Sequence, residues 1–174
     1  MGDKEAGSIY VEVARKALEN YVKGEEKFEF PEELPRELKE PGAAFVSLKK
    51  RGELRGCIGT ILPARENLLE EIISNAVSAG VRDPRFPPVT PEELEEITYN
   101  VDVLSEPEKV EDISQLDPQR FGVIVRSGSR SGVLLPSLEG IDTVEQQLSI
   151  AKQKAGISEV DPVEIYRFEV KRYY

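Results

Sequence analysis

The sequence predicts an α+β fold: a mainly antiparallel sheet flanked by helices, with two subdomains sharing one compact chain. Three observations carry that expectation. Strand-like segments follow one another without a helix between each pair, which argues against a parallel, doubly wound sheet. Two segments read as hairpins, with turns at Lys50-Arg51-Gly52 and around Ser127-Gly128-Ser129-Arg130-Ser131. Apolar positions switch along the chain between helical spacing and strict alternation.

The elements follow in order. Tyr10, Ala14, Ala17, Leu18 and Tyr21 share one helical stripe, so residues 9–23 are expected to form an amphipathic helix with Ser8 as its N-cap. Residues 28–42 carry three prolines and read as a loop with a short helical turn. Ala43 to Lys49 and Glu53 to Thr60 are the strands of the first hairpin. Leu68, Leu69, Ile72, Ile73, Ala76 and Val77 form a second helical stripe, closed by Gly80 as a C-cap. Val81 to Val89 holds three prolines and cannot continue the helix. Thr90-Pro91-Glu92-Glu93 is a capping box with proline at the first helical position. Ile97, Tyr99, Val101 and Val103 alternate as a strand. Phe121 to Arg126 and Gly132 to Leu135 make the second hairpin. Thr143 to Gln146 opens a helix that closes near Gly156, and Val163 to Val170 is a last strand. Residues 9–170 are read as one domain, with the acidic, proline-containing stretch Ser105 to Pro118 as its internal boundary or crossover.

Composition narrows the function classes. The 174 residues carry 23 Lys and Arg against 33 Asp and Glu, a net charge of −10, which opposes a phosphate backbone as partner. Nucleic acid is therefore not expected. With no histidine, Ser-His-Asp and Cys-His catalysis and His-ligated zinc are excluded. One cysteine makes no internal disulfide and holds no iron–sulfur cluster. Neither GxGxxG nor a Walker A sequence occurs, and no metal or cofactor is expected. No apolar run approaches the roughly 18 residues that span a bilayer. Met1-Gly2-Asp3-Lys4-Glu5 is polar, so a cytoplasmic protein without a membrane partner is expected.

Leu54-Arg55-Gly56-Cys57-Ile58-Gly59 holds that single cysteine between two glycines. A reactive thiol needs a nearby positive charge and room for another molecule, whereas a structural one sits among apolar neighbours. Strand alternation places Glu53, Arg55 and Cys57 on one face, near a concave surface, and turns Leu54 and Ile58 into the core. Arg82-Asp83-Pro84-Arg85-Phe86 presents two guanidinium forks on a proline-stiffened loop, suited to a carboxylate or phosphate. The candidate site is then Cys57 as nucleophile, with Arg55, Gly56, Gly59, Arg82, Asp83 and Arg85 binding a ligand. A plainer reading stays open for each part: a glycine-rich strand packed on a helix with Cys57 as filler, and an arginine tied to Asp83. The Ser127–Gly132 tip reads as a turn, Tyr173 and Tyr174 as a frayed end, and the pairs Glu32-Glu33, Glu70-Glu71 and Glu95-Glu96 as solvated charge.

These residues resemble the AMMECR family. The resemblance runs through Leu54 to Gly59, Asp83 to Phe86, Val101 to Leu104, Gly132 to Pro136 and Lys154 to Ile157. Leu138 to Gln147 is similar to its bacterial and archaeal branch, AmmeMemoRadiSam system protein A. That resemblance implies an α+β fold with two subdomains, and a Memo-like protein and a radical SAM enzyme as partners; it implies no particular reaction. Two functions remain: an enzyme or covalent carrier using Cys57, its thiol activated by Arg55, or a non-catalytic module that binds an anionic small molecule or a partner protein.

Overall fold

The structure, a computed structural model, describes residues 2–26, 29–30 and 32–174. Two units are present, Met1–Leu104 with Lys171–Tyr174, and Ser105–Val170.

The first unit is built on α1 (Gly2–Lys23), β1 (Ala43–Lys50), β2 (Glu53–Gly59), α2 (Leu68–Val81), β3 (Ile97–Leu104) and β8 (Val170–Tyr173). Its sheet has the order β2-β1-β3-β8, with β1 antiparallel to both β2 and β3. Val46, Leu48 and Val101 point from the sheet into a core completed by Val13, Ala14 and Leu18 of α1 and Ile72 and Ala76 of α2. Each fully buried Leu or Ile there contributes about 1.5–3 kcal/mol. Arg51 and Gly52 both have positive φ, 52° and 81°, which is the two-residue turn whose twist matches a β1–β2 hairpin. A short 3-10 helix at Arg36–Lys39 supplies the turn expected in the proline-rich loop.

In the second unit β4 (Glu108–Val110), β5 (Gly122–Ser127), β6 (Arg130–Leu134) and β7 (Glu164–Phe168) form a sheet of order β4-β7-β5-β6, all of whose pairs are antiparallel. Helix α3 (Val144–Ala155) covers one face, over Val123 and Val125. Thr143 and Gln146 form its capping box, and Gly156 ends it in the left-handed region at φ 67°. The predicted α+β class is what the chain adopts, with two four-stranded sheets where one mainly antiparallel sheet is expected.

Several expectations need correction. Helix α1 starts at Gly2, so Ser8 lies inside it and is not its N-cap. Helix α2 runs through Gly80 and is capped by Arg82; Gly80 is needed instead because a Cβ there would lie 2.3 Å from Leu18 Cδ1. The Thr90 capping box opens a 3-10 helix, Pro91–Glu96, rather than an α-helix. The stretch Ser105 to Pro118, expected as an internal boundary or crossover without elements of its own, contains β4 and a 3-10 turn at Ile113–Gln115. The last predicted strand is two strands interrupted at Glu169. The chain end is not frayed at Tyr173, which stacks on Tyr10 with ring centroids 4.2 Å apart. Arg172 also donates a fork to the buried Asp102, at 2.7 and 2.9 Å.

Candidate functional site

Strand β2 is an edge of its sheet, and its pairing with β1 slips between Leu48 and Lys49. Leu48 faces Gly56 while Lys49 faces Leu54, so Arg55 is an extra residue in a β-bulge. The bulge resets the alternation on which the sequence-based face assignment depends. Leu54 is not in the core but 43% exposed, whereas Arg55 is buried, at 9%. Ile58 does pack against the core as expected. Gly56 faces α2, where a Cβ would lie 2.0 Å from the Ala79 carbonyl oxygen. Cys57 takes the opposite face, beside Ser47, and is half-buried.

The backbone of Cys57 shows what the Asp83–Phe86 loop does. The Cys57 N–H donates to Asp83 Oδ2 at 3.0 Å, and Arg85 Nη2 donates to the Cys57 carbonyl at 3.4 Å. Arg85 also grips Asp83 through Nε and Nη2, at 3.0 and 2.8 Å. One acidic and one basic side chain thus take the places that a neighbouring strand would fill, and they seal the β2 edge. Because both outward backbone groups of Cys57 are engaged here, it faces Ser47 as a non-hydrogen-bonded pair, in which side chains come closest. Ser47 Oγ and Cys57 Sγ lie 3.3 Å apart. The Arg85 guanidinium, with burial opposing it, holds the Asp83 carboxyl well below the usual carboxylate range; the side chain of Asp83 is only 2% exposed.

Arg55 does not serve the thiol. Its Nε and Nη2 donate to both oxygens of Glu93, at 3.1 and 3.2 Å. Lys50 Nζ joins Glu93 at 3.1 Å, and Arg51 pairs with Glu96 at 2.6 Å. Glu93 also accepts the Thr90 N–H, at 2.8 Å, as the capping box requires. The expected sharing of a face by Arg55 and Cys57 fails because the bulge redirects the guanidinium to the 3-10 helix at Pro91–Glu96. Arg55 Nη1 is buried and unpartnered, one of three such side-chain atoms among the described residues.

Arg55, above all, holds Glu93 down at about 2. A depressed carboxyl stabilises the fold above its unfolded value, near 4.5, and that contribution is lost as pH falls through about 2. Asp83 acts in the same direction. Urea unfolding should therefore show a midpoint falling between pH 4.5 and 2. Glu93→Gln should flatten this fall by on the order of 1–2 kcal/mol, the solvent that still reaches the pair screening the rest.

Arg82 goes elsewhere. Its Nη1 donates to Ser78 Oγ at 3.3 Å and its guanidinium lies over the Tyr21 ring, 5.9 Å from the centroid. Of the seven predicted site residues, Gly56, Cys57, Asp83 and Arg85 meet at one point of the β2 edge. Gly59 sits at the strand end against Phe45, and Arg55 and Arg82 reach different partners. At the second hairpin the turn is only Gly128-Ser129; Arg130 reaches the Gly156 carbonyl at 2.6 Å and Asp161 at 3.3 Å, which ties the tip to the end of α3.

A family model, AMMECR1, matches residues 11–173. The chain belongs to the AMMECR1 family. It is 57% identical over 167 residues to a protein of Thermotoga maritima, a match covering 94% of this chain and 96% of that one. It is 47% identical to a protein of Clostridium acetobutylicum, covering 98% of this chain but only 36% of that longer one. The crystal structure of an uncharacterized protein from Pyrococcus horikoshii superposes with a TM-score of 0.85 at 35% identity, covering 97% of this chain and 91% of that one.

Within this AMMECR1 domain, sequence reasoning misses Glu71, and it reads Glu93 as a cap without its pairing to Arg55. Glu71, expected to be solvated charge, is 1% exposed. Its carboxylate accepts the Thr60 hydroxyl and the Ala64 and Arg65 N–H groups, and so holds the loop that follows β2. The available signal is its place in the helix stripe: Glu71 precedes Ile72 and lies four residues before Asn75, itself buried and bonded to the Ala44 carbonyl at 2.9 Å.

Proposed function

We propose that this AMMECR1 chain is a non-catalytic binding module for an anionic ligand, with the LRGCIG segment and the Asp83–Phe86 loop as its rigid frame. What supports the reading is the commitment of the charges around Cys57. Arg55 is forked onto Glu93 and Arg85 onto Asp83, so each guanidinium that could activate the thiol is already paired with a carboxylate. A general base works best with a pKa near the operating pH, and a carboxylate held as low as Asp83 is a poor acceptor for a thiol proton. The near neighbour of the sulfur is the Ser47 hydroxyl, also a poor base. The Clostridium relative, in which the matching region is 36% of a longer chain, is the arrangement a module working beside other polypeptide would have. The Memo-like protein and the radical SAM enzyme named by the family resemblance are its candidate partners.

The test is the pair wild type and Cys57→Ser, screened against a panel of carboxylates and phosphates by thermal shift and against the two candidate partners by co-purification. The introduced hydroxyl would retain hydrogen-bond reach to Ser47, so stability should change by less than about 1 kcal/mol. Ligand and partner binding should persist. Binding abolished by Cys57→Ser in a folded protein, or a covalent adduct on the sulfur, would replace this reading with the covalent carrier.

A further inference from the structure

The residues flanking the loop that seals β2, on both sides of it, line a cleft of about 530 Å³ together with the end of α1: Tyr21, Val22, Val81, Arg82, Val89 and Pro91 among others. That volume lies within the roughly 300–1,000 Å³ range of small-molecule sites. The wall is mostly apolar: valines from both helix ends, prolines from the stiffened loop, and the half-exposed ring of Tyr21. Three backbone carbonyls of the two helix ends are already taken. Tyr21 O accepts from Gly24 N, Ser78 O from Arg82 N and Gly80 O from Val89 N. Among the described residues of this unit Arg82, like Arg65 on Ser74, has no carboxylate partner. Arg51, Arg55, Arg85 and Arg172 of the same unit each pair with a carboxylate, at 2.6 to 3.1 Å. The side-chain hydrogen bond of Arg82 is to a neutral serine, and its guanidinium carbon lies 5.9 Å from the Tyr21 ring centroid. A guanidinium without a carboxylate partner, beside an apolar cleft in a chain of net charge −10, suits a molecule with one acidic group and one apolar body.

We propose that this cleft binds a small apolar carboxylic acid, its carboxylate on Arg82 and its apolar body against Tyr21, Val22 and Val89. This rests on the binding-module reading and gives it a ligand class and a place. Arginine presents a fork matched to a carboxylate, and the nearby Tyr21 ring offers it a cation–π neighbour.

The test uses the full chain, labelled with ¹⁵N, and three probes: 3-phenylpropionate, its uncharged amide, and acetate. Saturable shifts are expected with 3-phenylpropionate at the amides of Tyr21, Val22, Arg82 and Val89. The amide should bind about tenfold more weakly and acetate without saturation, since each lacks half of the recognition. Arg82→Gln should reduce the acid to the affinity of the amide, Arg82→Lys should restore part of the difference, and Arg36→Gln, at an exposed residue outside the cleft lining, should leave the binding unchanged. Equal affinity for acid and amide overturns the proposal, as does the absence of saturable shifts. Shifts centred on Cys57 and Arg85 also overturn this placement while leaving the binding-module reading intact. That reading fails separately, if Cys57→Ser abolishes binding in a folded protein.

Discussion

Gly56→Ala should destabilise the first unit by about 3 kcal/mol or more. Glycine-to-alanine exchange ordinarily stabilises by about 0.4–1 kcal/mol, because it restricts the unfolded chain. Here the sign reverses. The added methyl would meet the Ala79 carbonyl oxygen at 2.0 Å, and that oxygen belongs to helix backbone, which cannot rotate aside. Either α2 moves off the sheet or β2 bends outward, and both loosen the contacts among Ile72, Ala76, Val46 and Leu48. Because β2 is held at Cys57 by Asp83 and Arg85, an outward bend also breaks the edge seal. Urea unfolding followed by circular dichroism measures the loss. The amide of Cys57 should exchange with solvent faster in the variant than in wild type. A change below about 1 kcal/mol would mean that the strand and helix separate more easily than this close approach implies. Gly132 meets the Ala151 carbonyl at the same 2.0 Å in the second unit and is expected to behave alike.

The glycine pair around Cys57 is legible in the sequence, but its purpose is not. The sequence suggests glycines that make room for an incoming molecule, and they make room for a helix carbonyl and for the Phe45 ring. Both uses select the absence of a side chain, so composition cannot separate them. The hairpins, the helical stripes and the α+β class are readable because periodicity is local and strong at Ile97 to Val103 and along Leu68 to Val77. What fails is non-local. A one-residue bulge at Arg55 leaves no trace in the pattern, yet it exchanges the environments of Leu54 and Arg55. The proximity of Asp83 and Arg85 to Cys57 is expected from two rigid polar segments. That they bind its backbone and not its sulfur depends on β2 being a sheet edge, which topology alone decides. Glu71 escapes because an acidic pair at a helix start is usually solvated, and only the return of the chain at Ala64 and Arg65 buries this one.

Glu71→Gln should cost about 2–3 kcal/mol although it conserves shape. Among the described residues no cation pairs with this carboxylate. Its negative charge is balanced by donors alone: the Thr60 hydroxyl at 2.6 Å on Oε1, the Ala64 N–H at 3.0 Å and the Arg65 N–H at 2.9 Å, both on Oε2. Each is a charge-assisted bond, about twice as strong as a neutral one, and together they offset the desolvation of a nearly enclosed charge. An amide offers one oxygen and one NH₂. If its oxygen faces the two backbone N–H groups, its NH₂ meets the Thr60 hydroxyl, which must reverse and compete with the Asn75 amide that lies 3.4 Å from the same oxygen. If the NH₂ faces the backbone, two N–H donors are opposed by two more and stay unsatisfied. Either way the loop from Thr60 to Asn67 loosens at the exit of β2. Glu71→Ala removes the acceptor and leaves a cavity as well, with an expected loss of about 4 kcal/mol. Unfolding midpoints give the magnitudes, and hydrogen exchange at Ala64 and Arg65 gives the location: both amides should lose protection before those of α2. If Glu71→Gln shifts stability by less than about 0.5 kcal/mol while those amides stay protected, the carboxylate is not what holds the loop.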